Sequence, residues 1–516
     1  MELKKMLSLG YFPKELPLPF YTEDFANFIH DKIVLNRSFV SRPCTHNLAR
    51  PGNQRRVLSI SHPQNFCNLA KVISDNWTSI ETHFLKSNIS KSIPIIDDKE
   101  TRCVKTRFEG SKLPIIRAEI RGKAKYILRI DISRFYHSIY THSIPWALNT
   151  KAIAKSMRSG GLGNDLDLFL RNGQDSQTLG IPVGPDTSLI ISEILGTAID
   201  EKLEKDKMIG YRYVDDFEFV FYSRSEAEQA LPKIESILQE FELALNVDKT
   251  FIDELPVSID KYWTSIIRNF DFSDEVSTSK LIHYFDTLFA LYKENKREPV
   301  LGYGISRLSN ADIRDEIIED LLLQCVSIEP GTLVEVLHYC DTTGLKFNDD
   351  KFKKVLFDLI KYHGAMKHGS EVAWALWTCI WNDYKIPVEV AESIMFFDDS
   401  IVALLGCHAY SKKLIDESIL KYWKTLMTSD SLKDGHWLLA YEADLKKWLP
   451  SADSTNHVNK DPFFKILKKN KISFYRLSTG KIISEKQNID SYGVKRYSGY
   501  GREGKLRLDM DDDLPF

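Results

Sequence analysis

The chain has 516 residues, 43% hydrophobic and 27% charged, with a formal net charge of −3. That balance fits an ordinary globular protein of about three domains, and the overall charge does not announce a nucleic-acid partner. No apolar run nears the ~20 residues a membrane helix needs, and Met1-Glu-Leu-Lys-Lys-Met6 does not open as a signal peptide, so no membrane is expected. Cysteines 44, 67, 103, 325, 340, 379 and 407 are scattered, with no Cys-x-x-Cys pair. This argues against zinc and against a disulfide framework, and for buried thiols in a reducing cytoplasm.

In chain order, Gly10-Tyr-Phe-Pro-Lys-Glu-Leu-Pro-Leu-Pro-Phe20 is proline-rich and aromatic. It reads as an arm, residues 1–30, extended over the surface of the first domain. Arg50-Pro-Gly-Asn-Gln-Arg-Arg-Val-Leu-Ser-Ile60 holds a Pro-Gly turn followed by a strand carrying basic side chains. Residues 101–129 contain nine basic residues (Arg102, Lys105, Arg107, Lys112, Arg117, Arg121, Lys123, Lys125 and Arg129) and two acids, Glu109 and Glu119, or 9 − 2 = +7. Such a block suits a surface that follows a nucleic-acid backbone, with Arg117 and Arg121 as candidate nucleotide contacts.

Tyr126-Ile-Leu-Arg-Ile-Asp-Ile-Ser-Arg-Phe-Tyr136 reads as a strand ending at Asp131, followed by an aromatic pair at the start of a helix. Residues 139–148 read as a turn into a helix, in which His142 is structural. Leu179-Gly-Ile-Pro-Val-Gly-Pro185 is a Gly/Pro loop, and Thr187-Ser-Leu-Ile-Ile-Ser-Glu-Ile-Leu195 an apolar helix. In Tyr211-Arg-Tyr-Val-Asp-Asp-Phe-Glu-Phe-Val-Phe221 the aromatics alternate with a period of two, which predicts strand–turn–strand with Asp215 and Asp216 at the turn. Two acids at a tight turn form a natural site for a divalent cation, once a third carboxylate joins them. From about residue 258 the apolar spacing becomes helical, at Ile282, Phe285, Leu288, Phe289 and Tyr292, then Ile317, Ile318, Leu321, Leu322 and Cys325. Helix pairs of roughly 35–45 residues suggest a HEAT-like solenoid. Residues 451–516 read as a polar, turn-rich tail with a short strand near Ile472. Its segment 491–504 interleaves tyrosine, glycine and arginine, a pattern able to stack on bases and meet phosphates.

Four blocks occur in an order that resembles the reverse transcriptases: strand–Asp131–aromatic, Gly/Pro loop–helix, Tyr-x-Asp-Asp hairpin, and Leu243-Ala-Leu-Asn-Val-Asp-Lys-Thr250. The opening and residues 139–148 resemble the bacterial Abi-like, or unknown-group, reverse transcriptases that serve in phage defence. The resemblance implies an α+β, right-hand polymerase core (fingers and palm, residues 31–270), then an all-α, HEAT-like C-terminal half (thumb and repeats, 271–450) and the tail 451–516. It implies an RNA-directed DNA polymerase that uses dNTPs and two Mg²⁺ ions, one activating the primer 3′-hydroxyl and one stabilising the leaving pyrophosphate. Asp131 and Asp215 would bridge the ions, Asp216 would bind more weakly, and the Ile132 carbonyl would complete the cage. Arg55 or Arg56 would meet the triphosphate. Tyr136 would sit under the sugar and exclude a 2′-hydroxyl, Gly180 and Pro182 would let backbone approach the nascent pair, and Lys249 would lie near the triphosphate. Where many relatives carry glutamine before the first glycine, this chain has Leu179, which removes that side-chain hydrogen bond.

The expected partners are an RNA template, of which a dedicated noncoding RNA is one form, and a DNA product; a homo-oligomer is left open. Template-independent or protein-primed synthesis at the same site stays open too, with Tyr492, Tyr497 and Tyr500 as candidate priming hydroxyls. From another class, a helical-repeat RNA-binding protein with a degenerate polymerase core is the competing reading, against which the intact Asp131, Asp215 and Asp216 stand.

Overall fold

The structure is a computed structural model that describes residues 1–483 other than 100, 158, 274, 275, 310, 312, 314 and 452. Its centre is a four-stranded antiparallel sheet of β5 (Tyr126–Asp131), β6 (Gly210–Tyr213), β7 (Asp216–Phe221) and β8 (Phe251–Glu254) in the order β6-β7-β5-β8. Ile127, Leu128 and Ile130 of β5 are all buried, as a strand covered on both faces requires. The helix Arg224–Glu240 packs on this sheet. A capping box between Ser223 and Glu226 starts it, and Ala227, Ala230, Ile234, Ile237 and Leu238 form its buried stripe. The helix Asp186–Lys205 is buried nearly all round. The segment around Ser90 extends the sheet beyond β6, where Arg212 N–H donates to the Ile89 carbonyl at 2.9 Å and Lys91 N–H to the Arg212 carbonyl at 2.8 Å.

Two small ribbons flank this centre. β1 (Cys44–Arg50) and β2 (Gln54–Ile60) pair antiparallel from Cys44↔Ile60 to Arg50↔Gln54, around the Pro-Gly turn. β3 (Pro94–Ile96) pairs with β4 (Val104–Thr106). From Tyr262 onward the described elements are α-helices and short 3₁₀ turns, in agreement with the helical spacing. Helices Asp349–Ala365, Gly369–Trp381, Ser400–Ser411 and Trp437–Leu445 pack in succession. They also close on the β1–β2 ribbon. Ala49 N–H donates to Ser370 Oγ at 2.8 Å, and Trp437 Nε1 donates to the Ile60 carbonyl at 3.1 Å. Among the described residues no helix is long and apolar enough to cross a membrane. The described cysteines are free and six of the seven are buried.

Both chain ends depart from expectation. The opening is not a surface arm. Helices Leu3–Leu9 and Glu23–Ile29 flank it, Tyr11 is fully buried, and its ring stacks on Phe66 at 4.0 Å. Prolines bend this segment so that its aromatics turn inward, where burying each ring contributes ~1.5–3 kcal/mol. The polar tail, as far as residue 483, also enters the core. Phe474 and Tyr475 are fully buried, and Phe20 bridges Tyr475. That isolated bridge stands where a short strand was expected. The candidate priming residues Tyr492, Tyr497 and Tyr500 lie outside the described residues.

Candidate active site

Sheet register builds the site. β5 and β7 pair so that Asp131 lies opposite Asp216, and β6 and β7 pair Tyr213 with Asp216. That leaves a two-residue turn, Val214-Asp215, at the same end of the sheet. Ile132 N–H donates to the Asp215 carbonyl at 3.2 Å, so the two acid-bearing segments are stitched together by backbone. Asp131, Asp215 and Asp216 therefore converge at one end of the sheet, in the order the sequence predicts. A cleft of about 560 Å³ opens there, lined by Asp131, Asp216, Tyr213, Lys249, Arg129 and Tyr262 among others.

The electrostatics are those of crowded acids. Burial, then the charge of Asp131, holds the Asp215 carboxyl above the usual range. Burial, then Asp215 and Asp131, pushes Asp216 up to about 7. Asp131 is better supplied: Asn246 Nδ2 donates to its Oδ1 at 2.7 Å, and Lys249 Nζ to its Oδ2 at 2.8 Å. Burial opposes charge on Lys249, but the bond to Asp131 and the charges of Asp131, Asp216 and Asp215 together outweigh it and raise the ammonium's pKa. Arg56 is exposed and acts on Asp215 through space.

The turn itself is held from behind. Val214 has φ 59°, a left-handed conformation that costs a β-branched residue ~1–3 kcal/mol. Its N–H donates to Ser92 Oγ at 2.8 Å and its carbonyl accepts from Arg212 Nη1 at 3.1 Å. Arg212 is 1% exposed and bonded to Glu193 and Asp200, with Arg212 Nη2 donating at 2.8 and 2.7 Å. Two carboxylates around one guanidinium make a buried charge tolerable. Gly196 leaves the room: a Cβ there would stand 2.6 Å from Arg212 Cζ. Neither Arg212 nor Asn246 was singled out from sequence. The available signal was an arginine inside an aromatic strand, and an asparagine three residues before the lysine.

The Gly/Pro loop is fixed to the helix Phe135–Ser138. Gly180 N–H donates to the Ile139 carbonyl and Ile181 N–H to the Tyr136 carbonyl, each at 2.8 Å. Gly180 has φ 84°, and a Cβ would stand 3.1 Å from the His137 carbonyl oxygen, so glycine fits here for conformation and for space. The Pro182 carbonyl accepts from Ser188 Oγ. Ser59 N–H of β2 donates to the Val183 carbonyl at 2.8 Å, joining loop to ribbon. Burial pushes the half-buried Tyr136 hydroxyl up to about 12, keeping it neutral. Leu179 is 62% exposed.

The basic residues divide. Strand alternation sends Arg55 and Arg56 to opposite faces of β2. Arg55 turns to the helical half, where both Nη atoms bond Glu371, so it is not a free phosphate ligand as expected. Arg121 is buried on Glu218, with Nε to Oε1 at 2.6 Å and Nη2 to Oε2 at 2.8 Å, and likewise does not serve the cleft as a free cation. Arg117 lines the cleft, but its Nε donates to the Tyr211 hydroxyl at 2.9 Å. Arg129 joins Glu218 as well, Arg102 joins Asp186, and Lys105 joins Asp97 and Asp98. With Arg117 also 3.8 Å from Glu218, five of the nine cations in residues 101–129 meet acids from outside that segment, which a count along the sequence cannot register. Arg107, Lys112, Lys123 and Lys125 remain exposed. His142 bonds Asp167 at 2.8 Å and lines no part of the cleft.

Residues 52–302 match the family described as reverse transcriptase (RNA-dependent DNA polymerase). The chain therefore carries a reverse transcriptase domain and is an RNA-directed DNA polymerase, a nucleotidyltransferase. No curated protein matches it. Among solved structures it is similar to apo telomerase from Candida tropicalis, at 11% identity over 75% of this chain and 67% of that one, with TM-score 0.31. It is also similar to telomerase from Candida albicans in complex with a fragment of telomeric RNA, at 15% identity over 69% and 66%, with TM-score 0.27.

Proposed function

We propose that this domain copies an RNA template into DNA by in-line nucleotidyl transfer at Asp131, Asp215 and Asp216, with two Mg²⁺ ions as cofactor. The observation that carries this reading is the convergence of three carboxylates at one end of the sheet, against which the ammonium of Lys249 is the one cation in direct contact among the described residues. Burial, and after it the neighbouring carboxylates, raise the pKa values of Asp215 and Asp216, and hard oxygen donors suit magnesium. When bound, the ions neutralise charge on the attacking and leaving oxygens. Asp131 and Asp215 would hold the ions, with Asp216 and the Ile132 carbonyl as further oxygen donors. Asn246 orients Asp131, and Lys249 is long and exposed enough to exchange that carboxylate for a phosphate. Arg56 meets the triphosphate, Tyr136 lies under the sugar, and the backbone around Gly180 and Pro182 supports the nascent pair.

The bacterial antiphage role rests on the likeness of the opening and residues 139–148 to the Abi-like enzymes. A dedicated noncoding RNA is the template that role implies. The helical half, with its successive pairwise packing, is the surface that cradles this RNA. Purified protein supplied with each dNTP and NTP in Mg²⁺ tests the reading. Incorporation of dNTPs, a product of defined sequence, and loss of synthesis after RNase treatment support it. Random sequence made without RNA would place the enzyme among template-independent polymerases. A product that stays bound to protein until proteolysis would point to a protein primer.

A further inference from the structure

The helix Asp349–Ala365 ends in a tight turn, through Lys367 at φ 57°, that leads directly into the helix Gly369–Trp381. That turn brings together His363 from the last turn of the first helix, His368 from the N-cap of the second, and Glu371 from the second helix's first turn. His363 Nδ1 and His368 Nδ1 stand 2.9 Å apart, and each lies 3.6 Å from Glu371 Oε1. Four tetrahedral ligands at zinc–ligand distances of 2.0–2.1 Å are separated by about 3.3 Å. The observed triangle has edges that bracket this value.

We propose that His363, His368 and Glu371 form a binding site for a zinc-type divalent cation, through two Nδ1 atoms and one carboxylate oxygen. Imidazole and carboxylate are suitable donors for such an ion, and the fourth position is left to water. The scattered cysteines bear only on thiolate sites and say nothing of this one. With both rings neutral, a 2.9 Å Nδ1–Nδ1 contact requires one ring's Nδ1–H to lie against the other's lone pair. Binding needs that proton to move to Nε2 of its own ring, a change of tautomer. Burial holds both imidazoles below their usual pKa, so neither must first lose a second proton at neutral pH. Glu371 is kept ionised by Arg55, which bonds both of its oxygens, and by Ser370 Oγ, which donates to Oε2 at 2.8 Å. Arg55 Nε in turn donates to Asn47 Oδ1 of β1 at 2.8 Å. The cation would therefore fasten the helical half to the β1–β2 ribbon, remote from Asp131 in the chain and distinct from the magnesium site in its ligands.

The full chain, stripped with a chelator, should be dialysed against micromolar Zn²⁺ or Co²⁺ with millimolar Mg²⁺ present to occupy the acidic cleft. The site predicts one retained zinc per chain by elemental analysis. With Co²⁺ it predicts visible d–d absorption and two exchangeable, paramagnetically shifted Nε2–H resonances, as Nδ1-bound rings give. His363→Gln and His368→Gln should each weaken binding at least about tenfold, with circular dichroism unchanged. Should either variant fail to fold, the wild-type stoichiometry and the two Nε2–H signals decide the matter alone. Absence of retained zinc in the wild type, or the same stoichiometry and spectrum in both folded variants, would overturn the site.

Discussion

Asp131 shows how much of the chemistry rests on single side chains around the acids. Asn246 and Lys249 hold its two oxygens in fixed directions. Replacing a partner of a metal-binding carboxylate typically costs 10–100-fold. Asn246→Ala is expected to lower incorporation by about that factor and to raise the Mg²⁺ concentration needed for half-maximal rate, which a magnesium titration of primer extension reads directly. Arg212 acts one layer further back. Arg212→Met leaves Glu193 and Asp200 buried without their cation and releases the Val214 carbonyl. A loss of about 3–5 kcal/mol is expected in urea unfolding, by the general cost of breaking a buried pair. At this scale the meeting of the three aspartates at one end of the sheet was legible, because one strand pattern ends at Asp131 and another at Asp215 and Asp216. Arg55 and Arg121 were misread because the acids that neutralise them, Glu371 and Glu218, lie far away in sequence.

Among elements, the Gly/Pro loop and the acidic hairpin were legible from local chemistry alone. A period of two ends at the acids, and in the loop Gly180 and Gly184 stand where φ is positive. Gly180→Ala would force a Cβ toward the His137 carbonyl at φ 84° and shift the loop. A left-handed alanine costs ~1–2 kcal/mol, so extension by this variant should slow roughly 5–30-fold while the fold survives. The helix Trp437–Leu445 carries a pH dependence of its own. His436 at its N-cap bonds Asp434 at 3.2 Å and Asp398 at 2.6 Å, and these bonds lift the imidazole to about 9. A folded pKa above the unfolded value near 6.5 means stability that is fully present below about 6.5 and lost as pH rises through about 9. Thermal midpoints of wild type and His436→Gln should therefore differ at pH 6 and converge above pH 9.5. A difference that grew with pH would refute this account of the pair.

For the whole molecule, the two ends of the chain share one core with the reverse transcriptase domain. Phe474 contacts Tyr11, Phe12, Phe25, Trp437 and Tyr441. Arg102 of the basic block bonds the Phe12 carbonyl and Asp186. Asp186 N–H donates to the Gly10 carbonyl at 2.8 Å, so the opening segment braces the Gly/Pro loop. Phe474→Ala should cost about 3–5 kcal/mol and lower polymerase activity and global helicity in one coincident transition, as circular dichroism and extension assays across a thermal ramp would show. A helical half that melted separately would contradict it. This closure was not legible in the sequence, since helical spacing gives the face of each helix that is buried but not the partner that covers it.

The most direct test of the central claim is nucleotide incorporation by purified wild type beside Asp215→Asn/Asp216→Asn, with labelled dNTPs, Mg²⁺ and whatever nucleic acid copurifies. Wild type is expected to incorporate dNTPs and the double variant none, with both proteins giving the same circular dichroism. Equal incorporation by the two would mean that the carboxylates at the end of the sheet are not the catalytic centre. No incorporation by either, with RNA still bound, would instead favour an RNA-binding protein built on a silent polymerase core.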